Sequence, residues 1–116
     1  MGVEIPRVLQ TMVGQNSSEA WLVTGRPLMF RIDGALREAV LTPLTEEDAE
    51  VVLANDPKLQ AAFEKTGMVE FRLKFGRDAS FHVTTMAICG MPLTVIRRVQ
   101  KPRKTGLFNW GNQKSD

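Results

Sequence analysis

The stretch Gly25-Arg26-Pro27-Leu28-Met29-Phe30-Arg31-Ile32-Asp33-Gly34 decides how this chain folds. Leu28, Phe30 and Ile32 fall on one face of a strand, and the residues between them fall on the other. Asp33-Gly34 favours a two-residue hairpin turn, because glycine accepts the positive φ that such a turn needs. We therefore predict that this stretch forms the central strand of a sheet, and that a second strand pairs back on it directly after the turn.

Before this stretch, the sequence predicts a helix and a short strand. Apolar residues recur at helical spacing over Val3–Val13, with Pro6 in the first turn, where its missing N–H costs no hydrogen bond. Gly14 ends this helix. Residues Glu19–Thr24 then predict a strand that leads into the turn before Leu28.

After the hairpin, the segment around Thr45 carries the clearest local signal of the chain. Thr45 is a good N-cap residue, and Asp48 stands where the acid of a capping box belongs. The acidic residues 46–48 look like a catalytic cluster in composition, but the positive end of a helix dipole explains them. We predict a helix here that has Ala49, Val52 and Leu53 on its inner face and ends before Pro57. A second helix is predicted to begin at Pro57 and to end at Gly67.

The last third of the body changes to the period of a strand. Residues 68–75 alternate between two faces, and residues 79–86 and 93–99 continue as strands joined by short turns. Three consecutive strands with short connections form an antiparallel meander. Because helices lie in the middle of the chain and strands lie on both sides, we predict one α+β domain that spans residues 1–99.

The composition limits the class of protein. The 116 residues fit one domain, and 43% of them are hydrophobic, which is in the globular range. No apolar run approaches the roughly 20 residues of a membrane helix, and no signal peptide is visible, so we expect a cytoplasmic protein. The single cysteine, Cys89, excludes an internal disulfide and stands among apolar residues, which predicts a buried, inert thiol.

The C-terminal segment 100–116 differs from the body in charge. From Arg97 onward there are six basic residues and one acid, a net charge of +5, whereas the rest holds nine basic and twelve acidic residues, a net −3. Proline and glycine interrupt this segment, so we expect a flexible basic tail. Three interpretations stay open: a solubilising end, a docking peptide, or a segment that binds nucleic acid or an anionic membrane surface. The acidic body disfavours extensive nucleic-acid contact.

As a docking peptide, the tail would bury large apolar side chains in a partner and use its basic side chains to steer toward an acidic surface. The candidate partner-binding residues are Arg97, Arg98, Lys101, Arg103, Lys104, Leu107, Phe108 and Trp110.

The body offers no complete catalytic site. His82 is the only histidine; the sequence places no Cys, Asp or Glu at ligand spacing from it and no acid where it would orient the imidazole. Arg31 lies on the polar face of its predicted strand, where it pairs with an acid or contacts a partner. We therefore take Arg31 and His82 as candidate surface contacts, and predict no catalytic residue, no metal and no cofactor.

Three motifs follow one another in the order and spacing of a known family. Residues 25–34 correspond to the pattern Gly-x-Pro-Pro-x-x-Arg-x-Asp-Gly, residues 43–48 to Pro-Leu-Thr-x-Glu-Asp, and residues 63–71 to Phe-Glu-x-x-Gly-x-x-Asp-Phe. With them, residues 5–99 resemble the N-terminal domain of the type IV pilus and type II secretion ATPases, especially the PilT-like retraction ATPases of twitching motility. The resemblance implies a PAS-like fold, an antiparallel sheet flanked by helices.

Two departures from the family pattern bear on function. The motor domain's phosphate loop, Gly-x-x-x-x-Gly-Lys-Ser/Thr, does not occur in these 116 residues. The family's Arg-Phe-Arg-Val-Asn segment, whose arginines reach nucleotide between subunits, is here Ser80-Phe81-His82-Val83-Thr84. The resemblance therefore implies a domain that keeps the family's shape without its role in ATP hydrolysis.

From the resemblance we expect a non-catalytic interaction and regulatory module that docks on a pilus or secretion-type ATPase, or on another protein of that machine. One alternative is a small-ligand sensor, in which Arg31, Arg97 and Arg98 would suit a cyclic nucleotide. Another is an isolated N-terminal domain of a longer secretion ATPase, which the initiating Met1 and the character of the tail disfavour.

Overall fold

The computed structural model describes residues 3–39, 42–54, 56–77 and 79–99. Within these ranges the chain forms helices and strands in the order predicted for an α+β domain, which confirms the fold class. The elements are α1 (Ile5–Gly14), β1 (Glu19–Val23), β2 (Met29–Ile32), β3 (Ala35–Glu38), α2 (Glu46–Ala49), a 3₁₀ helix (Val51–Leu53), α3 (Pro57–Thr66), β4 (Met68–Phe75), β5 (Ala79–Ile88) and β6 (Met91–Val99).

The strands form one antiparallel sheet in the order β3-β2-β1-β6-β5-β4. Its centre is the pair β1–β6, in which Ala20 lies opposite Ile96. The predicted central strand is therefore wrong in position, because residues 29–32 form β2, the second strand from an edge. The last strand returns to pair with the first across most of the chain, and local alternation does not encode such a long-range pairing.

The hairpin turn predicted at Asp33-Gly34 is confirmed. Ile32 lies opposite Ala35, which leaves two residues in the loop. Both have positive φ, 52° at Asp33 and 82° at Gly34. These are the backbone angles of a type I′ turn, whose twist matches that of the paired strands.

α1 packs on one face of the sheet and forms the core with it. The helix begins with the predicted proline in its first turn and buries Val8, Leu9 and Met12, which follow the helical period. Alternate strand residues contribute the other half of the core; they include Ala20, Leu22, Phe30, Phe81, Val83 and Ile96. We call this side of the sheet the core face.

α2 lies on the core face as well and begins with the predicted capping box, but it is shorter than predicted. The α-helix ends at Ala49, and Val52 and Leu53 belong to the 3₁₀ helix. Asp48 donates its N–H to Thr45 Oγ1 at 3.2 Å, and Thr45 donates its N–H to Asp48 Oδ2 at 3.0 Å. Asp48 Oδ1 also accepts the N–H of Val3 at 3.2 Å, which ties the N-terminal segment to α2. These bonds, first that from the Thr45 backbone, hold the pKa of Asp48 below its ordinary value.

The second predicted helix is confirmed as α3. Asp56 caps its start by accepting the N–H groups of Lys58 and Leu59, both at 3.1 Å. Gly67 ends it in the left-handed conformation, with φ of 80°. No side chain of α3 is fully buried, so this helix covers the sheet less tightly than α1 does.

The predicted burial of Cys89 is wrong. Cys89 is exposed and forms the turn between β5 and β6 with Gly90; their φ values are 53° and 79°. Its apolar neighbours Ile88 and Met91 are themselves 51% and 43% exposed at the strand ends. The position of the turn at the tip of a hairpin, rather than local hydrophobicity, therefore decides the exposure of the thiol.

The predicted tail falls outside the part of the chain that the structure describes. Residues 100–116 are not described, so the flexible tail and its candidate residues Lys101, Arg103, Lys104, Leu107, Phe108 and Trp110 stay predictions. In the described ranges, no helix has the length and apolar character that crossing a membrane requires.

Candidate interaction surface

The second face of the sheet carries no helix in the described part of the chain. α1 and α2 both contact the core face, and α3 leaves residues 68, 70, 72 and 74 exposed on the opposite side of β4. We call this second face the outer face; its residues alternate along each strand with those of the core face. Most of its side chains are half-exposed or exposed, as expected for a sheet face without a second layer.

One half of the outer face is apolar. The strand register places apolar side chains next to one another in two rows that run across the strands. The first row consists of Val23, Leu93, Met86 and Met68. The second contains Met29, Trp21 and the buried Val95 and continues with the polar residues Thr84 and Glu70. Contiguous apolar surface of this kind is typical of a protein interaction site.

The next row of the outer face is charged. It contains Arg31, Glu19, Arg97, His82 and Arg72, side by side on β2, β1, β6, β5 and β4. The sheet thus brings the two candidate surface contacts, Arg31 and His82, into one row with Arg97, which the sequence grouped with the candidate partner-binding residues of the tail. Local sequence places these residues far apart, and only the register unites them.

Glu19 organises the charged row. Its Oε1 accepts hydrogen bonds from Trp21 Nε1 and from Arg31 Nε, both at 2.9 Å. Arg97 Nε lies 3.5 Å from Oε2 of the same carboxylate. Arg31 also donates to the carbonyl oxygen of Gly34 at 3.0 Å. The carboxylate therefore fixes an indole ring and two guanidinium groups in one arrangement before any partner binds.

The same contacts lower the pKa of Glu19 below its ordinary value. The hydrogen bond from the Trp21 indole is the largest cause, and burial opposes it by raising the pKa. The hydrogen bond and charge of Arg31 and the charge of Arg97 lower it further. Glu19 consequently stays ionised in the folded protein at neutral pH.

His82 has an acidic neighbour that its sequence context does not reveal. Glu70 Oε2, on β4, lies 3.8 Å from His82 Nε2 and 3.5 Å from Thr84 Oγ1. Glu70 is therefore an acidic neighbour of His82, but 3.8 Å is longer than a hydrogen bond that would orient the imidazole. The two residues are 12 positions apart in the sequence, and the β4–β5 register makes them neighbours.

Arg98 lies on the other side of the sheet from Arg31 and Arg97. It is opposite Phe81, a core-face residue, and its Nη1 lies 3.3 Å from Asn16 Oδ1. Three arginines that the sequence combines into one nucleotide site are therefore divided between two faces. This separation disfavours the small-ligand site composed of those residues.

Glu19 and Trp21 are not predicted as site residues from the sequence. The alternating pattern of β1 does place them on one face, which is the only local signal for their proximity. What makes Glu19 central is its position between β2 and β6, each of which brings one arginine. Such a role depends on strand order and cannot be read from one strand.

A cavity of about 520 Å³ lies away from the outer face, between α1, the start of β2 and residues 42–44. Its lining is mainly apolar and includes Val8, Leu28 and Phe30. The charged-row residues Arg31, Arg97 and His82 are not part of the described lining. Among the described residues, no group of three or more His, Cys, Asp or Glu side chains could hold a metal ion.

In the described ranges the chain is an α+β domain, in which one six-stranded antiparallel sheet has helices on its core face and none on its outer face. No protein-family model matches the chain, and no curated protein sequence matches it. Solved structures do match, and among them are a pilus retraction motor and two DotB ATPases. The predicted resemblance is confirmed at the level of the fold, which is that of the PilT N-terminal domain.

Three structures illustrate this likeness. The pilus retraction motor PilT, solved with bound ADP, matches with a TM-score of 0.74 and 17% identity over 86% of this chain and 30% of its own. The Legionella pneumophila ATPase DotB gives 0.68 and 15% identity, over 82% of this chain and 28% of its own. The Yersinia pseudotuberculosis ATPase DotB matches with a TM-score of 0.68 and 12% identity, over 85% of this chain and 31% of its own. The chain thus spans less than a third of each of these ATPases.

Proposed function

We propose that this chain is a non-catalytic interaction module that docks on a component of a pilus-retraction or secretion ATPase machine and regulates it. The observation that carries the proposal is the outer face, where an apolar half adjoins a charged row. The fold likeness to PilT and DotB supports the choice of this class of machine. The sequence holds no Gly-x-x-x-x-Gly-Lys-Ser/Thr loop for a triphosphate, which supports the non-catalytic part.

Trp21 has the properties of a binding hot spot. It lies at the centre of the apolar rows, and its Nε1–H is already bonded to Glu19. A ring held in place loses little conformational entropy on binding, and tryptophan is enriched among residues that dominate interface energies. Arg97, whose side chain is 59% exposed, places its guanidinium beside the Glu19 carboxylate that holds this ring. The matching partner presents an apolar patch with a carboxylate at its border.

A direct binding measurement with a purified PilT-type retraction ATPase tests the docking face. Met29→Glu places a charge among the apolar rows, and we expect it to abolish binding. Arg97→Glu reverses the charge offered to the partner, and we expect about tenfold weaker binding. Arg7→Glu is the matched control, because Arg7 is a highly exposed arginine on α1, on the other side of the molecule. Equal binding by all variants, or none by the wild type, would contradict the proposal.

The regulatory and non-catalytic parts have separate readouts. ATP turnover by the purified ATPase should change when the chain is added, and the Met29→Glu variant should leave that turnover unchanged. The chain alone should hydrolyse no ATP above the buffer rate. Measurable turnover by the chain alone would show that it is an enzyme and would refute this part independently of docking.

The tail enters the proposal as a second contact. Leu107, Phe108 and Trp110 would act as anchors, and Lys101, Arg103 and Lys104 would steer toward an acidic surface. A variant that ends at Val99 tests it, since the described domain ends there. We expect weaker binding to the same ATPase; equal affinity would remove the tail from the proposal and leave the outer face as the docking site.

A further inference from the structure

The two edges of the sheet differ in how they are protected. β3 is a short edge strand of four exposed residues, with Arg37 on the side of the core-face residue Phe30. Short length and an inward charge are the usual devices that keep an edge from pairing. β4 is the other edge strand; it has eight residues in continuous register with β5, and it contains no proline or glycine. β4 therefore keeps the features of a strand that can pair again.

The outward backbone groups of β4 can be assigned residue by residue. Ala87 donates its N–H to the carbonyl oxygen of Gly67 at 2.9 Å, so Gly67 faces β5. By alternation, residues 69, 71, 73 and 75 bond to β5, and residues 68, 70, 72 and 74 direct their N–H and C=O groups to the open edge. Thr66 Oγ1 accepts the N–H of Met68 at 3.3 Å and donates to the Met68 carbonyl oxygen at 2.8 Å. The backbone groups of Met68, the first residue on the open edge, therefore already have a partner. The open edge thus runs through Glu70, Arg72 and Lys74.

The charges on this edge are complementary to themselves in one antiparallel register. If two β4 strands pair about a twofold axis at Phe71, Glu70 of each copy lies opposite Arg72 of the other. Moving the axis to Arg72 sets Arg72 against itself, and moving it to Glu70 sets Glu70 against itself. Only the register centred on Phe71 pairs opposite charges without placing like charges directly opposite.

The same register also matches apolar side chains. Phe71 meets Phe71 of the second copy, and Val69 meets Leu73. Phe71 and Leu73 pack against the core but stay half-exposed in the single chain. Pairing would cover them and would continue the core face across both copies.

We infer that β4 is a homodimer interface, in which two copies of this chain join their sheets edge to edge in the register centred on Phe71. Glu70 and Arg72 set the register, and each pair occurs twice because the interface is isologous. The outer faces of the two copies then form one continuous surface with two charged rows.

Charge exchange tests the register. Sedimentation over a micromolar concentration series, with reducing agent present so that Cys89 forms no disulfide, should show a monomer–dimer equilibrium. Glu70→Arg and Arg72→Glu should each weaken dimerisation about tenfold or more, because each places like charges opposite one another twice. The double exchange Glu70→Arg/Arg72→Glu should restore it. Arg26→Glu, a charge reversal in an exposed turn, is the control and should dimerise like the wild type.

Amide hydrogen exchange gives a second test. It uses only the wild-type protein, so it does not depend on whether a variant folds. At high protein concentration the amides of Glu70, Arg72 and Lys74 should exchange slowly, and on dilution they should become fast. The amides of Val69 and Phe71, which bond to β5, should stay protected throughout. A wild type that is monomeric at every concentration, single variants that dimerise normally, or a double exchange without rescue would each overturn the assignment.

Discussion

The hydroxyl oxygens of Thr85 and Thr94 lie 2.7 Å apart in the interior of the domain, at opposite positions on β5 and β6. Thr94 Oγ1 donates to the carbonyl oxygen of Ala49 in α2, so Thr85 supplies the proton between the two hydroxyls. Both threonines are fully buried. This chain of two hydrogen bonds fixes α2 to the sheet through two side chains that have no solvent-exposed surface.

Thr94→Val should therefore destabilise the domain, although valine and threonine have nearly the same volume. The carbonyl of Ala49 and the hydroxyl of Thr85 both lose their partner, so we expect the free energy of unfolding to fall by about 1–3 kcal/mol. The double variant Thr85→Val/Thr94→Val should lose less free energy of unfolding than the sum of the two single variants, because it also removes the Thr85 hydroxyl that Thr94→Val leaves without a partner. Urea unfolding measures all three; strictly additive losses would contradict the coupled pair.

The lowered pKa of Glu19 predicts an acid dependence of stability. Because the unfolded state binds this proton more readily than the folded state, the stabilisation is present above the unfolded pKa and is lost as the pH falls through the folded pKa. Glu19→Gln should lower the free energy of unfolding by about 1–2 kcal/mol at neutral pH. The difference from the wild type should shrink below the ordinary carboxylate pKa of 4.5. Glu64→Gln, on the exposed side of α3, serves as the control and should leave the free energy of unfolding at neutral pH unchanged.

The capping box of α2 should contribute unequally through its two members. Thr45→Ala loses the cap and should cost about 1 kcal/mol. Asp48→Ala loses the cap and the hydrogen bond from Val3, so its cost should be larger, about 1–2 kcal/mol. Glu47→Ala, in the same helical turn but without a cap bond, is the matched control. Thermal unfolding ranks the three; equal losses for Thr45→Ala and Asp48→Ala would show that the Val3 contact contributes nothing.

Two glycines with open space around them should respond oppositely to alanine. A Cβ atom would meet nothing within 4 Å at either Gly14 or Gly34. Gly34 has φ of 82°, so Gly34→Ala should cost about 1–2 kcal/mol in the left-handed turn position. Gly14 is the last residue of α1, where alanine is the better helix former, so Gly14→Ala should be neutral or stabilising. Chemical denaturation measures the free energy of unfolding of both variants. A loss at Gly34 alone would show that backbone conformation, and not packing, causes the change in stability.

Local features of the fold could be predicted because the residues that cause them are neighbours in the chain. The type I′ turn at Asp33-Gly34, the capping box at Thr45 and the helix end at Gly67 depend on a few adjacent residues. Cys89 could not be placed in this way, since its exposure depends on where a hairpin ends.

The candidate site could be predicted only in fragments. Arg31 and His82 are predicted from the faces of their own strands, but the charged row needs the register of five strands. Glu70 comes near His82 only through the β4–β5 pairing, and Glu19 becomes central only because β6 pairs with β1.

The order of the elements, the α+β class and the hairpin turn at Asp33-Gly34 could be predicted before the structure, because they follow from periodicity and from the conformational preferences of single residues. The tertiary structure alone decided which strand is central, which face of the sheet stays open and which charges meet there. Those properties arise from pairings between strands that lie far apart in the sequence, such as Glu19 with Arg97, which are 78 positions apart. No local pattern specifies such pairings, because they are selected by the burial of the whole core.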